Sequence, residues 1–370
     1  MGLALGVINL GYEPELEELT MYRCCASLPF AGRYRLIDFA LSNMVNSGIH
    51  NVGIFVRKKY RSLMDHLGSG KEWDLDRKQG GLFVLPPMFD EKGQNYIGDV
   101  YHFYNHMDYF YRASEPYVVM TNGHTVYNVD YRKGIQSHVD SGADITVLYL
   151  NQDEFSNMSM EPTYLNVGPK GRIQGINKGF PLGLQDRLSL ETYIMKKSVF
   201  LKIIENCIIE GGKNWVKDGF MQHFDKFTVN GYPCKGYGAI VDSVPGYFYH
   251  SMELLHPEVC SSLFYQKEPI YTKVKDEPPS LYKEGSKITN SLIGNGCKIE
   301  GKVENSILFR GVHVGKGAVV KNSIVMQRSF IGEKSIVDGV IIDKGVLITE
   351  GKMINRKKVE PLIIPKRSII

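Results

Sequence analysis

The segment Asn290-Ser-Leu-Ile-Gly-Asn-Gly-Cys-Lys-Ile-Glu-Gly-Lys-Val-Glu-Asn-Ser-Ile-Leu-Phe-Arg-Gly-Val-His-Val-Gly-Lys-Gly-Ala-Val-Val-Lys-Asn-Ser323 decides how the end of the chain folds. Asn-Ser recurs at Asn290-Ser291, Asn305-Ser306 and Asn322-Ser323, each time before an aliphatic residue. An aliphatic-Gly pair recurs at Ile293-Gly294, Val314-Gly315 and Ile331-Gly332, and six residues past each aliphatic stands another, at Ile299, Val320 and Val337. Aliphatics at a period of six, with small or polar residues at the corners, predict a left-handed parallel β-helix whose coils have three short faces. Stacked coil edges also offer a surface for self-association.

Working outward, the texture changes on the N-terminal side. The prolines of Glu268-Pro-Ile-Tyr271 and Asp276-Glu-Pro-Pro-Ser280 predict an extended connector. Before it, short apolar runs alternate with helical patterns. Leu3–Leu10, Asn51–Val56, Tyr117–Met120, Ile145–Leu150 and Thr163–Val167 read as strands, and Ile37–Ile49, Tyr101–Arg112 and Ser198–Ile209 as helices. That alternation implies α/β architecture with a mostly parallel, Rossmann-like sheet and ligands at the carboxyl ends of its strands. The expected domains are residues 1–255, a connector over 256–285 and the β-helix over 286–370.

The 370 residues carry 44 Lys and Arg against 40 Asp and Glu, a net +4 that gives no ground for a nucleic-acid or membrane partner. The cluster Arg57-Lys-Lys-Tyr-Arg61 reads as solvated surface. Six cysteines, none at zinc-ligand spacing, make neither a disulfide scaffold nor a metal site and suit a reducing, cytoplasmic setting. The opening Met1-Gly-Leu-Ala-Leu-Gly-Val-Ile-Asn-Leu10 reads as a buried strand and not a signal peptide.

The segment Leu28-Pro-Phe-Ala-Gly-Arg-Tyr-Arg-Leu-Ile-Asp-Phe-Ala-Leu-Ser-Asn-Met-Val-Asn-Ser-Gly-Ile49, with Gly68–Pro87 and Tyr96–Phe110, resembles the bacterial glucose-1-phosphate adenylyltransferase (ADP-glucose pyrophosphorylase) family over most of residues 1–255. The resemblance implies a nucleotidyltransferase (GT-A type) domain and the joining of ATP to glucose 1-phosphate, giving ADP-glucose and pyrophosphate. Such a reaction relies on positioning, cationic clamps and Mg²⁺ held by carboxylates.

Those groups are replaced here. The family's loop Gly-Gly-x-Gly-Thr-Arg-Leu-x-Pro-Leu-Thr aligns with Leu10-Gly-Tyr-Glu-Pro-Glu-Leu-Glu-Glu-Leu-Thr20, its register fixed by Leu16, Leu19, Thr20 and Arg23. Glu13 takes a loop-glycine position, Glu15 that of the catalytic Arg, and Cys25 that of the Lys. Each attraction turned to repulsion at ~4 Å counts for about 4 kcal/mol at an effective dielectric near 20. The run Glu13–Glu18 also reads as an acidic first helical turn. At the two metal carboxylates stand His124, in Asn122-Gly-His-Thr-Val-Tyr127, and Ile240, in Gly238-Ala-Ile-Val-Asp-Ser243. An imidazole and an aliphatic side chain do not replace the hard oxygen ligands that Mg²⁺ takes. In the segments matching the glucose 1-phosphate side, Lys178 survives beside Asn177 and Gly179, while Glu191 fills a glycine position.

The resemblance therefore points to the family's non-catalytic, regulatory branch, whose members join a catalytic subunit in a heterotetramer serving glycogen synthesis. No metal or cofactor is expected in this chain, Mg²⁺ being needed only at the catalytic partner. An anionic effector such as a sugar phosphate would meet Arg33 and Arg35, complemented by Arg356, Lys357 and Lys358. Structural pairing of Arg33 and Arg35 with Asp38 or other carboxylates is the alternative. Two rival functions stay open: an active nucleotidylyltransferase with a rearranged site, and a β-helix acyltransferase using His313.

Overall fold

A computed structural model describes residues 2–88, 98–151, 162–179, 183, 186–356 and 360–370. In the first domain four parallel strands stand in the order Tyr117–Thr121, Ala4–Asn9, Asn51–Phe55, Gly81–Leu85. The three inner ones are short, apolar and buried on both faces, as parallel strands between helical layers are, while the edge strand Gly81–Leu85 leaves Phe83 exposed. The long strand Asp186–Lys196 runs antiparallel to Tyr117–Thr121 and extends the sheet to Thr163–Val167 and Ile173–Lys178, while Ile145–Leu150 pairs with it and, in parallel, with Val229–Cys234. The sheet is thus mixed, and its parallel half ends in a cleft.

The helices Leu36–Asn46 and Lys197–Ile209 fall where apolar spacing puts them. Tyr101–Arg112 does not form one helix. It divides into Asp99–Asn105 and Met107–Arg112, because His106 leaves helical angles (φ −114°, ψ 27°) with its ring nitrogen 2.9 Å from the Pro86 carbonyl oxygen. The connector is not extended throughout either: Pro257–Phe264 is a helix, started by a proline whose fixed φ suits the first turn and packed through Leu263. Leu281–Tyr282 already pairs with the next coil at Lys298–Ile299.

The C-terminal strands form three five-stranded parallel sheets, the three faces of the left-handed β-helix. Its Asn-Ser repeat has a backbone cause. Asn290, Asn305 and Asn322 all adopt left-handed angles (φ 42°, 44° and 44°), and Gly339 takes the same corner in the next coil (φ 70°). Asparagine and glycine are the residues that enter this region most easily. Their amides stack: Asn290 Nδ2 donates to Asn305 Oδ1 at 2.8 Å and Asn322 Nδ2 to Asp338 Oδ1 at 2.8 Å. The serines form an inner ladder, Ser306 N donating to Ser291 Oγ and Ser323 N to Ser306 Oγ.

One face carries consecutive aliphatics, Ile307-Leu308, Ile324-Val325 and Ile341-Ile342. Leu308, Val325 and Ile342 fill the β-helix interior. Ile307, Ile324 and Ile341 point the other way, joining Leu16, Leu19, Phe30, Phe39 and Tyr247 in a core shared with the first domain. This face is buried on both sides, which is why it lacks the polar alternation of an exposed strand. A buried ion pair closes the same junction: Arg23 Nη2 donates to Asp343 Oδ2, and Arg23 Nε donates to the Leu19 carbonyl at 2.8 Å. Removing the carboxylate strands a guanidinium away from water. D343A should therefore cost about 3–5 kcal/mol, read as a lower urea midpoint; a loss below about 1 kcal/mol would show the pair to be solvated.

Candidate functional site

A cavity of about 340 Å³ opens at the carboxyl ends of the parallel strands, where an open α/β sheet places its ligands. The structure brings His124, Ile240, Lys178 and Glu191 together around it, with Glu13, Arg57, Lys58, Asp99 and Asp242. Glu15 and Cys25 do not line it.

Glu13 turns inward. Its Oε1 accepts from the Ala26 amide at 2.6 Å, and burial lifts its pKa to about 7 against the pull of that amide and of Lys58. The short 3₁₀ helix begins only at Glu17, so Glu13 and Glu15 precede it and are not its acidic first turn. Glu15 is exposed and ion-paired with Lys58. The basic cluster is exposed, as a solvated surface should be, and it also clips this loop: besides the Lys58 pair, Arg57 Nη1 donates to Gly11 O at 3.3 Å and Lys59 Nζ to Thr20 O at 2.8 Å. Its position straight after Asn51–Phe55, at the carboxyl end of a central strand, was the available signal. Cys25 lies in the core behind the cleft, its thiol 3.7 Å from Val241 O and its pKa driven up by burial, so it carries no charge toward a ligand.

The metal positions offer no oxygen pair. Ile240 is buried and has no donor atom. His124 is buried, its Nδ1 without a hydrogen bond, and burial lowers its pKa despite the fields of Glu191 and Asp242. Among the described residues no three His, Cys, Asp or Glu side chains converge as a metal site. The residues present do not fit Mg²⁺. Glu191 holds left-handed backbone angles (φ 50°), strained for any side chain but glycine, and accepts from Asn122 Nδ2 at 2.8 Å. Asp99, unmarked by sequence reading, is fixed by Asn9 Nδ2 (2.6 Å) and the Trp215 amide (2.8 Å), with burial raising its pKa to about 6.

A second cavity, of about 300 Å³, lies between the domains. Arg33 and Arg35 line it, facing Lys273 and Lys275 from the connector and Arg310, Arg328, Lys344, Lys366 and Arg367 from the β-helix; Glu277 is the one carboxylate on its wall among the described residues. One stacked corner of the β-helix supplies these cations. Arg328 N donates to Arg310 O, Gly345 N to Gln327 O and Arg367 N to Lys344 O, one coil above another. Arg356 does not belong here: its backbone continues the asparagine corner, donating to Asp338 O. Lys357 and Lys358 lie outside the described residues. Asp38 does not take the Arg35 guanidinium; it accepts from the Arg35 amide at 2.9 Å, while Arg35 Nη1 donates to Ser62 O at 2.6 Å.

Fold and cleft define a nucleotidyltransferase-type domain carried on a hexapeptide β-helix. The nucleotidyl transferase family matches residues 11–159, and the GlmU-like, C-terminal hexapeptide family residues 279–360. The chain is 41% identical over 318 residues to glycogen biosynthesis protein GlgD of Bacillus subtilis, covering 86% of this chain and 82% of that one. It is 43% identical to GlgD of Geobacillus stearothermophilus, over 85% and 82% of the two chains. It is 32% identical to a glucose-1-phosphate adenylyltransferase of Clostridium botulinum, again over 85% and 82%. The chain belongs to the glucose-1-phosphate adenylyltransferase family and, within it, to the GlgD group.

Glu13 supplies a test of the loop. Its folded pKa lies above the unfolded value near 4.5, so the folded state is penalised as pH rises from there toward 7 and beyond. A neutral amide escapes that penalty and still accepts from Ala26. E13Q should melt higher than the wild type at pH 8, with the gain fading by pH 5; an equal gain at both values would place the carboxylate in water.

Proposed function

We propose that this chain is a regulatory, catalytically impaired subunit of glucose-1-phosphate adenylyltransferase in glycogen biosynthesis, working in a hetero-oligomer with a catalytic subunit in the cytoplasm. The observation that carries the reading is the state of the loop: a carboxylate, Glu13, sits on the Ala26 amide, and a second, Glu15, neutralises Lys58. A triphosphate approaching residues 10–15 would meet the Glu15 carboxylate and a Glu13 carboxyl group already seated on the Ala26 amide, and would have to break the clip that holds them. With His124 and Ile240 at the metal positions, Mg²⁺ is needed at the partner and not here. Among the described residues no helix is long and apolar enough to cross a membrane, which accords with the reading.

The inter-domain cavity supports regulation. Arg33 and Arg35, joined by cations from the β-helix corner, suit an anionic effector of the sugar-phosphate class, and a ligand seated there touches both domains. Lys178, which lines the cleft, is a cation that could still meet a sugar phosphate.

The purified chain, given ATP, Mg²⁺ and glucose 1-phosphate, should release no pyrophosphate above background. It should co-purify with a catalytic homologue and change that partner's kcat and effector response, and R33E should abolish the changed effector response in the mixture. Robust pyrophosphate release by the chain alone would favour an active enzyme with a rearranged site.

A further inference from the structure

The end of the sheet opposite the cleft carries a groove of its own. A cavity of about 650 Å³ lies where the four parallel strands begin, lined by residues that precede or open them: Gly2, His50, Asn51, Gly80 and Glu115. It shares Asn51, Gly80, Arg112 and Ala113 with a smaller cavity of about 310 Å³. There Phe83 of the edge strand stands 41% exposed, its ring 5.3 Å from that of Tyr109. The Tyr109 hydroxyl donates to Asn51 Oδ1 at 3.2 Å, and Asn51 Nδ2 donates to the Glu115 carboxylate at 3.2 and 3.3 Å. The exposed ring is thus braced by a chain of fixed side chains, and a platform held in this way costs little to order when a ligand covers it. The charges of the groove are already matched. Arg77 is ion-paired with Asp74, its Nε donating to the Asp74 carbonyl at 2.7 Å, and Arg112 meets Asp108 at 3.8 Å. Burial lowers the His50 pKa, helped by Arg77 and opposed by Asp74, so its imidazole is neutral at pH 7. Two guanidiniums set against Asp74, Asp108 and Glu115 give an anion no net attraction.

We propose that this groove binds a neutral oligosaccharide, an α-glucan chain, with one pyranose laid on Phe83 and its hydroxyls meeting Arg77, Gln79, Arg112 and Glu115. A pyranose presents an apolar C–H face and a rim of hydroxyl groups, each both donor and acceptor. An exposed aromatic ring takes the face. Guanidinium, amide and carboxylate groups take the rim, and they can do so while ion-paired, because a guanidinium has five donors and a carboxylate four lone-pair sites. A protein partner fits less well. Among the described residues Phe83 is the one exposed large apolar side chain lining the groove, whereas the buried centre of a protein interface is apolar throughout. The choice of an α-glucan among neutral saccharides rests on the reading of this chain as a component of glycogen biosynthesis; the groove itself does not. Its place at the amino ends of the strands keeps it clear of the loop at residues 10–15, which stands at their carboxyl ends.

Maltoheptaose is the probe. Calorimetric titration of the full chain at pH 7 should show saturable binding at millimolar concentration or below, equal in low and high salt because no charge is neutralised. F83A should weaken binding about tenfold through loss of the ring, and F83W should keep it. R112A, at a side chain already 83% exposed, should weaken binding about threefold with no change in melting temperature. Binding undiminished in both F83A and R112A would place the sugar elsewhere and overturn the assignment of the groove. No binding of maltoheptaose at millimolar concentration would overturn the glucan, and binding of cellohexaose in its place would overturn the tie to glycogen. A dimer that F83A dissociates, with no sugar bound, would show the groove to be an interface between copies and overturn the proposal as well. These readouts use the chain without a catalytic subunit, so their failure is distinct from failure of the co-purification and pyrophosphate assays that test the subunit reading.

Discussion

The proposed loss of catalysis depends first on the hydrogen bond from the Ala26 amide to the Glu13 carboxyl group. An amide at the foot of a nucleotide loop is a natural donor to phosphate. Here the donor is consumed by the chain's own side chain at 2.6 Å, and the loop that carries Glu13 is tied down by Arg57, Lys58 and Lys59. Three cations beside the cleft, Arg57, Lys58 and Lys59, are engaged by the loop itself. The cleft stands at the carboxyl ends of the parallel strands, and several of its polar side chains are engaged by the chain itself.

The second consequence of the same segment lies at its other end. Leu16 and Leu19 enter the core shared by both domains, and Arg23 reaches Asp343 of the β-helix. Loop and β-helix are thus parts of one packed body. Lys344, next to Asp343, brings the inter-domain cavity within two residue contacts of the loop: Lys344 to Asp343, and Asp343 to Arg23, whose Nε holds the Leu19 carbonyl. A charge placed in that cavity acts on the ion pair that joins the domains. If the chain acts on a neighbouring subunit as proposed, that junction is where the influence would originate.

Much of this was legible in the sequence because local backbone demands leave local marks. Ile145–Leu150 and Thr163–Val167 emerge as strands with the bounds their apolar runs predict. The Asn-Ser repeat could be read because each coil needs a left-handed residue at the same corner, and asparagine tolerates it. Other features left no local mark. A run of glutamates looks the same whether it opens a helix or buries one carboxylate, so the inward turn of Glu13 was hidden. The cation corner was hidden too, since Arg310, Lys344 and Lys366 are brought together by coil stacking and not by proximity in sequence. That is also why Arg356 was grouped with Arg33 and Arg35: basic character is visible in a sequence, but the edge of a three-sided coil on which it falls depends on counting corners through the repeat.

The most direct test of the account is a crystal of the chain soaked with ATP and Mg²⁺. The account predicts that Glu13 remains on the Ala26 amide, Lys58 on Glu15, and that no ordered triphosphate lies along residues 11–15. A triphosphate bridged by a metal and seated on that loop, with the glutamates displaced, would contradict it.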